Sequence, residues 1–169
     1  MKAGLRVTVQ KAYMTGTVPA VRDIREWVRH AIAEARRGEA ADAGVTVRIV
    51  GEEESRALNL RFRRKDKPTN VLAFPASSDG FPGVPRKAAD RALGDIVICA
   101  PVVEREAAEQ CKTPASHWYH LLVHGTLHLL GYDHQNETDA ARMERLETRI
   151  LAARGIDDPY RLAGERRGS

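Results

Sequence analysis

Four stretches of the chain carry apolar patterns that are typical of β-strands. LRVTVQ at 5–10 alternates apolar and polar side chains and is predicted to be a half-buried strand. VTVRIV at 45–50 is predicted to be a second strand. Two more continuous apolar runs, NVLAFP at 70–75 and LGDIVICA at 93–100, predict a third and a fourth strand.

Helical spacing begins after Pro19, where apolar residues recur every three or four positions, at Val21, Ile24, Val28, Ile32 and Ala35. Thr17 is the predicted N-cap of this helix, Pro19 lies in its first turn, and Gly38 marks its end. Four further helices are predicted, at 52–63 with an acidic start and a basic end, 101–111, 114–131 and 136–153.

The order of these elements predicts a single α+β domain over residues 1–169. About four strands would form a small mixed sheet, packed with about five helices. The third and fourth strands are expected to pair antiparallel, because the stretch between them is rich in Gly, Pro and Ser and predicts a loop rather than a crossover helix. Residues from about 160 to 169 are expected to be a flexible tail.

Composition narrows the class of protein. The chain is 43% hydrophobic and 30% charged, which is a globular profile, and its net charge of +4 permits a polyanionic substrate without requiring one. Cys99 and Cys111 lack the spacing of a metal site. No stretch approaches the roughly 20 apolar residues of a membrane span, and no secretory signal opens the chain. We therefore expect a reduced cytoplasmic protein with no membrane partner.

The stretch HGTLHLLGYDH at 124–134 concentrates three histidines. At about 100° per residue, one side of the helix over 114–131, a sector of roughly 80°, carries His117, His120, His124 and His128. His124 and His128 are one turn apart and can face a common ion. Gly131 can end the helix in a left-handed conformation, after which His134 can turn back toward the same point. Three imidazoles with a fourth position open predict a catalytic zinc site.

The residue that follows His124 counts against a peptidase. The zinc-protease motif H-E-x-x-H places its general base directly after the first histidine, where this chain has Gly125. His117 and His120 precede the pair and are expected to support the site or to be exposed, and His30 is expected to have no special role.

The stretch 124–134 resembles the signature H-G-x-L-H-L-x-G-Y-D-H of the YbeY family of bacterial endoribonucleases at every fixed position. The resemblance extends to residues 58–75, 93–99 and 150–160. It implies a zinc-dependent, single-strand-specific endoribonuclease in 16S rRNA 3′-end maturation and ribosome quality control. Ribosomal RNA, the small ribosomal subunit and its assembly factors are the implied partners, and one zinc per chain is assigned to His124, His128 and His134.

A basic stretch before the third strand contains Arg61, Arg63, Arg64, Lys65 and Lys67. It is either a solvated helix end or an edge that binds phosphate. The resemblance favours the second interpretation, because Arg63 follows an aromatic residue, as the catalytic arginine of the family does. Arg63 is therefore the predicted catalytic cation and the other four are predicted RNA-binding residues. Asp133 either orients an imidazole or faces solvent.

These features predict a metal-dependent endoribonuclease and leave its chemistry open. The attacking group is either a hydroxide generated at the metal or the 2′-hydroxyl of the RNA, and the sequence contains no clear general base. Two rival hypotheses are a metal hydrolase of a non-RNA substrate, such as a peptidase, and a non-catalytic RNA- or ribosome-binding factor with structural zinc. A structural zinc site normally has four protein ligands, which counts against the last.

Overall fold

A computed structural model describes residues 4–14, 16–36, 43–76, 92–133 and 135–156. Across these ranges the four strands are β1 (Arg6–Lys11), β2 (Gly44–Val50), β3 (Val71–Pro75) and β4 (Ala92–Cys99). The five helices are α1 (Val21–Ala35), α2 (Glu52–Arg63), α3 (Ala100–Glu109), α4 (Pro114–Leu129) and α5 (Glu137–Ala152). The predicted α+β class with a small mixed sheet is confirmed.

The strands form one sheet in the order β1-β2-β4-β3. The pairs β1–β2 and β2–β4 are parallel, whereas β3 runs antiparallel to β4, with Val71 opposite Ile98. The prediction that the third and fourth strands pair antiparallel is thus confirmed. The predicted connecting loop falls mostly outside the described residues, as does the predicted tail at 160–169.

Helices cover both faces of the sheet. One face is buried beneath α1 and α4, where Trp118 and Leu122 of α4 are fully buried against strand residues such as Ile96. A second cluster joins α4 to α5 through Leu127 and Ile150. On the other face, Leu58 of α2 and Val102 of α3 pack against strand residues. None of the helices in the described ranges combines the length and the apolar composition that a membrane span requires.

The predicted start of the first helix is wrong. Ala20, not Thr17, is the N-cap, and the backbone N–H groups of Asp23 and Ile24 donate to the Ala20 carbonyl. The hydroxyl of Thr17 instead donates to the carboxylate of Glu104 on α3, so it does not cap the helix. Pro19 accordingly lies before the helix rather than in its first turn, and the predicted end at Gly38 is outside the described residues.

Both ends of α4 have the local chemistry that a helix end requires. Thr113 accepts a hydrogen bond from the Ser116 backbone N–H at the start. At the end, Gly131 has a φ of 99°, and the N–H groups of Gly131 and Tyr132 donate to the carbonyls of His128 and Leu127. This is a Schellman motif, so Gly131 ends the helix in a positive-φ conformation, as the sequence predicts.

Candidate functional site

A cleft lies between the edge strand β3 and the helix α4. Its volume is ≈ 220 Å³. The end of α2, the start of β3 and one face of α4 supply the side chains that line it: Arg63, Asn70, Val71, Ala73, His120, Leu121, His124, Gly125 and His128. The fold thus brings Arg63, which is about sixty residues earlier in the chain, to the same cleft as two of the predicted metal ligands.

His124 and His128 face each other across one turn of α4. Their Nε2 atoms are 3.1 Å apart, and both side chains are partly exposed to the cleft. Two nitrogens that are each about 2.0–2.1 Å from one tetrahedral zinc ion lie roughly 3.3 Å apart. The separation of the two Nε2 atoms therefore fits a shared zinc ion.

The third predicted ligand, His134, lies outside the described residues. Among the residues that are described, no group of three or more His, Cys, Asp or Glu side chains could hold a metal ion. The zinc site at His124, His128 and His134 therefore stays a prediction, for which the geometry of the first two residues is suitable.

One residue of the site that the sequence did not reveal is Glu147 of α5, which contacts His120 and His124. Its side chain is fully buried, and its two carboxylate oxygens lie 2.5 Å from Nδ1 of His124 and 3.2 Å from Nε2 of His120. Glu147 lies on the face of α5 that also buries Met143, Leu146, Ile150 and Leu151. A carboxylate at a position where the helical pattern requires an apolar residue is the signal that could have identified it.

Burial determines the charge preference of His120. Because the side chain is largely removed from water, its pKa lies below the usual value of imidazole, although the nearby Glu147 carboxylate acts in the opposite direction. The neutral form of His120 is thus favoured in the cleft wall.

His117 belongs to a second network beside the cleft. It is buried, and its Nε2 lies 3.0 Å from Oε1 of Glu106, to which the side-chain amide of Asn70 also donates. Burial raises the pKa of the Glu106 carboxyl, but the hydrogen bonds from His117 and Asn70 outweigh it, so the pKa is below its usual value. An ionised Glu106 thereby anchors Asn70, whose Oδ1 accepts from the Val71 backbone N–H at the start of β3.

Close packing explains the glycine between the two histidines. A Cβ atom added to Gly125 would be 3.2 Å from Cγ2 of Ile96 on β4, closer than ordinary contact. The backbone of α4 thus approaches the sheet at this point. A glutamate in this position, the general base of the zinc-protease motif, would meet the side chain of Ile96.

The basic stretch is exposed and extends from the cleft onto the surface. Arg63 ends α2 and lines the cleft, while the other predicted RNA-binding residues are exposed beside it in the chain: Arg61, Arg64, Lys65 and Lys67. The guanidinium of Arg61 lies 5.4 Å from the centre of the Phe62 ring, which in turn contacts Phe74 edge to face at 5.1 Å. Through Phe62, the end of α2 thus contacts β3.

Local hydrogen bonds shape the turn that carries these cations. Arg64 has a φ of 58° and ends α2 in the left-handed conformation. The buried Asn59 donates through its side-chain amide to the carbonyl of Lys67 at 2.8 Å, and Ser55 bonds both backbone groups of Thr69 at 2.9 Å. These contacts hold the backbone of the basic turn against the end of α2.

Two other residues named from the sequence, His30 and Asp133, are not among the described residues that line the cleft. His30 on α1 makes a hydrogen bond to the hydroxyl of Tyr119, in the interface of α1 and α4. Asp133 is half-buried directly after the turn at Gly131.

The chain is similar to one family of known proteins in sequence and to a solved structure in fold. A family model described as "Endoribonuclease YbeY" matches residues 10–155. Proteins of that name are 54% identical to this chain in Halorhodospira halophila, over 85% of this chain and 89% of the relative, and 50% identical in Xanthomonas axonopodis pv. citri, over 95% of each. A solution structure of a Thermotoga maritima protein shares the fold, with a TM-score of 0.52, 24% identity, and coverage of 94% of this chain and 99% of that one.

Proposed function

Because the chain belongs to the endoribonuclease YbeY family, we propose that it is a zinc-dependent endoribonuclease that cuts single-stranded RNA. The observation that carries this proposal is the cleft that contains the facing imidazoles of His124 and His128 together with Arg63. Nitrogen ligands for a metal and a cation from a second helix suit a phosphodiester, whose oxygens carry negative charge.

In this proposal His124, His128 and His134 hold the zinc ion. Imidazole nitrogens suit zinc, and three protein ligands leave one coordination position for a substrate oxygen or water. When bound, zinc supplies a Lewis acid that polarises a phosphoryl oxygen.

Arg63 is the proposed catalytic cation. Its guanidinium binds nonbridging oxygens of the scissile phosphate, orients that phosphate in the cleft and offsets the negative charge that grows during phosphoryl transfer. Four exposed cations continue the phosphate-binding edge and bind the RNA backbone outside the cleft: Arg61, Arg64, Lys65 and Lys67.

Ribosomal RNA is the proposed physiological substrate, in maturation of the 3′ end of 16S rRNA and in ribosome quality control. The proposed partners are the small ribosomal subunit and its assembly factors, and the proposed location is the cytoplasm. Family membership supports this part of the proposal. The preference for unpaired RNA also has physical support, since a single strand exposes both its backbone and its bases to a cleft, whereas the bases of a duplex are paired and stacked.

The test is a gel assay of the zinc-loaded protein on matched single-stranded RNA, duplex RNA and a peptide, each with and without chelator. We expect cleavage of the single strand, much slower cleavage of the duplex, no cleavage of the peptide, and loss of activity with chelator. Peptide cleavage with intact RNA would establish the peptidase alternative. Tight RNA binding without cleavage would establish a non-catalytic binding factor.

A further inference from the structure

We propose that Glu147 is the positioning residue of the zinc site, because its buried carboxylate fixes the imidazole of His124 with Nε2 aimed at the cleft. The inference rests on the proposed function, since it concerns the same metal. It assigns a role to a residue of α5, a helix that supplies no residue to the lining of the cleft.

The first support is the way both carboxylate oxygens are used. One oxygen is 2.5 Å from Nδ1 of His124 and the other is 3.2 Å from Nε2 of His120. His120 and His124 are one turn apart on α4, so a single carboxylate from the neighbouring helix contacts two successive rings of the cleft wall.

The second support is the tautomer that this contact imposes. An ionised carboxylate can only accept, so with Glu147 in that form the proton of the contact lies on Nδ1 of His124, which donates it to Glu147. The lone pair of a neutral ring is then on Nε2, the atom that lies 3.1 Å from Nε2 of His128. Glu147 thereby selects both the tautomer and the ring orientation that a metal ligand requires.

The third support is the free-energy cost of burying the carboxylate of Glu147. Glu147 is 0% exposed on a helix face otherwise occupied by apolar side chains such as Met143 and Ile150. Burying a carboxylate costs free energy that its hydrogen bonds offset only in part, whereas an apolar residue of similar volume has no such cost. Stability alone therefore does not account for a glutamate at this position, whereas control of a ligand does.

The experiment compares the zinc affinity of the folded full-length chain and its variants by competition with a chromophoric chelator. Glu147→Gln keeps the side-chain shape but offers one acceptor and one donor, so it cannot accept from both rings. We expect zinc to bind about 10–100-fold more weakly. If Glu147→Gln does not fold, Glu147→Asp tests the same contact, since it keeps the charge and withdraws the carboxylate by one methylene.

Glu106→Gln is the matched control. Glu106 is also a carboxylate that contacts a histidine of α4, at 3.0 Å from Nε2 of His117, but His117 is not a predicted ligand. We expect its zinc affinity to stay within about twofold of the wild type. A purely structural role for Glu147 predicts that both variants lower the free energy of unfolding while neither changes zinc affinity, and that result would overturn the inference.

A second readout is the tautomer of His124, observed through its ring ¹⁵N signals in the zinc-loaded and zinc-free protein. We expect protonated Nδ1 in the wild type in both states and a mixture of tautomers in zinc-free Glu147→Gln. Protonated Nε2 in the zinc-free wild type would contradict the inference. If the wild type binds no zinc at all, the proposed function fails; if it binds zinc and Glu147→Gln binds it equally well, only the role of Glu147 fails.

Discussion

Single residues in the cleft wall combine packing with chemistry. His120 and Glu147 each lie mostly within the protein, and each is oriented by the other. Gly125 lies between two cleft-facing histidines because the helix backbone there packs against Ile96. The imidazoles of His120 and His124 are therefore held by a close-packed helix and a buried carboxylate, which suits a site whose side chains must keep one geometry.

At this scale the first prediction concerns metal content. The wild type should contain about one zinc per chain, and alanine in place of His124, His128 or His134 should remove most of it, since each variant leaves two imidazole ligands at most. Elemental analysis of purified protein measures this. His30→Ala is the control, because His30 contacts Tyr119 in the interface of α1 and α4, and it should keep its zinc. Full zinc content in all three ligand variants would place the metal elsewhere.

Arg63 is the second residue to test. Arg63→Ala should keep the fold and the zinc but lose at least about 100-fold in RNA cleavage, the magnitude typical of removing one charge-stabilising donor. Arg63→Lys should recover only part of the rate, because an ammonium cannot make the bidentate contact of a guanidinium. Single-turnover cleavage assays measure both. Wild-type rates in Arg63→Ala would remove Arg63 from the reaction.

Sequence reasoning identified the residues whose types are unusual in their local pattern. His124, His128 and Arg63 could be named because three close histidines and a run of cations are visible in the sequence itself. Glu147 could not be related to His124 in that way, since their contact depends on how α4 and α5 pack. One polar residue on an apolar helix face has several explanations until its neighbour is known.

At the level of elements, strands and helices were predicted closely where apolar spacing is regular. The predicted start of α1 was wrong because the hydroxyl of Thr17 donates to Glu104, about ninety residues away in the chain. Capping patterns describe local competition for hydrogen bonds, and a tertiary contact can change its outcome. The predicted end of α4 was right because the positive φ that ends the helix is a local backbone requirement, which Gly131 meets.

The third prediction concerns that helix end. Gly131 has a φ of 99° with open space around its Cα, so Gly131→Ala should cost about 1–2 kcal/mol of unfolding free energy through backbone strain alone. It should also weaken zinc binding, because the turn lies between His128 and His134. Denaturant unfolding and chelator competition measure the two effects.

Gly155 provides the control for this prediction. It follows α5, has a φ of 73° and is equally open, but it lies outside the segment between two predicted ligands. Gly155→Ala should lose comparable stability with unchanged zinc affinity. If both alanine variants kept wild-type zinc affinity, the turn at Gly131 would have no part in shaping the site.

The interface of α1 with α4 gives a pH-dependent prediction. Burial raises the pKa of Tyr119 to about 12. The positive charge of Arg154 opposes this shift, and the negative charges of Glu34 and Glu26 support it. The hydroxyl of Tyr119 also makes a hydrogen bond with His30. Since an exposed tyrosine titrates near about 10, the contribution of Tyr119 to stability is complete below that pH and is lost as the pH rises toward 12. Unfolding free energies measured between pH 8 and 11.5 should therefore fall less steeply for Tyr119→Phe than for the wild type. Parallel curves would contradict the prediction.

Over the whole molecule the net charge is only +4, but the positive charges are not evenly distributed over the surface. Many arginines are paired with carboxylates, as Arg48 is with Glu54 and Arg56 with Asp66. The cations from 61 to 67 instead lie at the end of α2 and in the turn after it, where Arg63 lines the cleft at the sheet edge. Their position, more than the net charge, favours a nucleic acid partner.

The last prediction separates position from net charge. RNA binding is measured by fluorescence anisotropy over a range of salt concentrations, with chelator present to prevent cleavage. Replacing Arg61 and Arg64 together by glutamine should weaken binding to single-stranded RNA and reduce the slope of log affinity against log salt. The reduction should be about 0.7 for each arginine that contacts a phosphate, since each contact releases counterions.

The matched control replaces Arg142 and Arg145 of α5, two exposed arginines, by glutamine. Net charge falls by the same two units, so any effect of total charge is identical in the two variants. The α5 variant should bind RNA nearly as well as the wild type with an unchanged slope. Equal losses in both variants would show that RNA responds to the overall charge of the protein, and the residues from 61 to 67 would then not form the RNA-binding edge of the cleft.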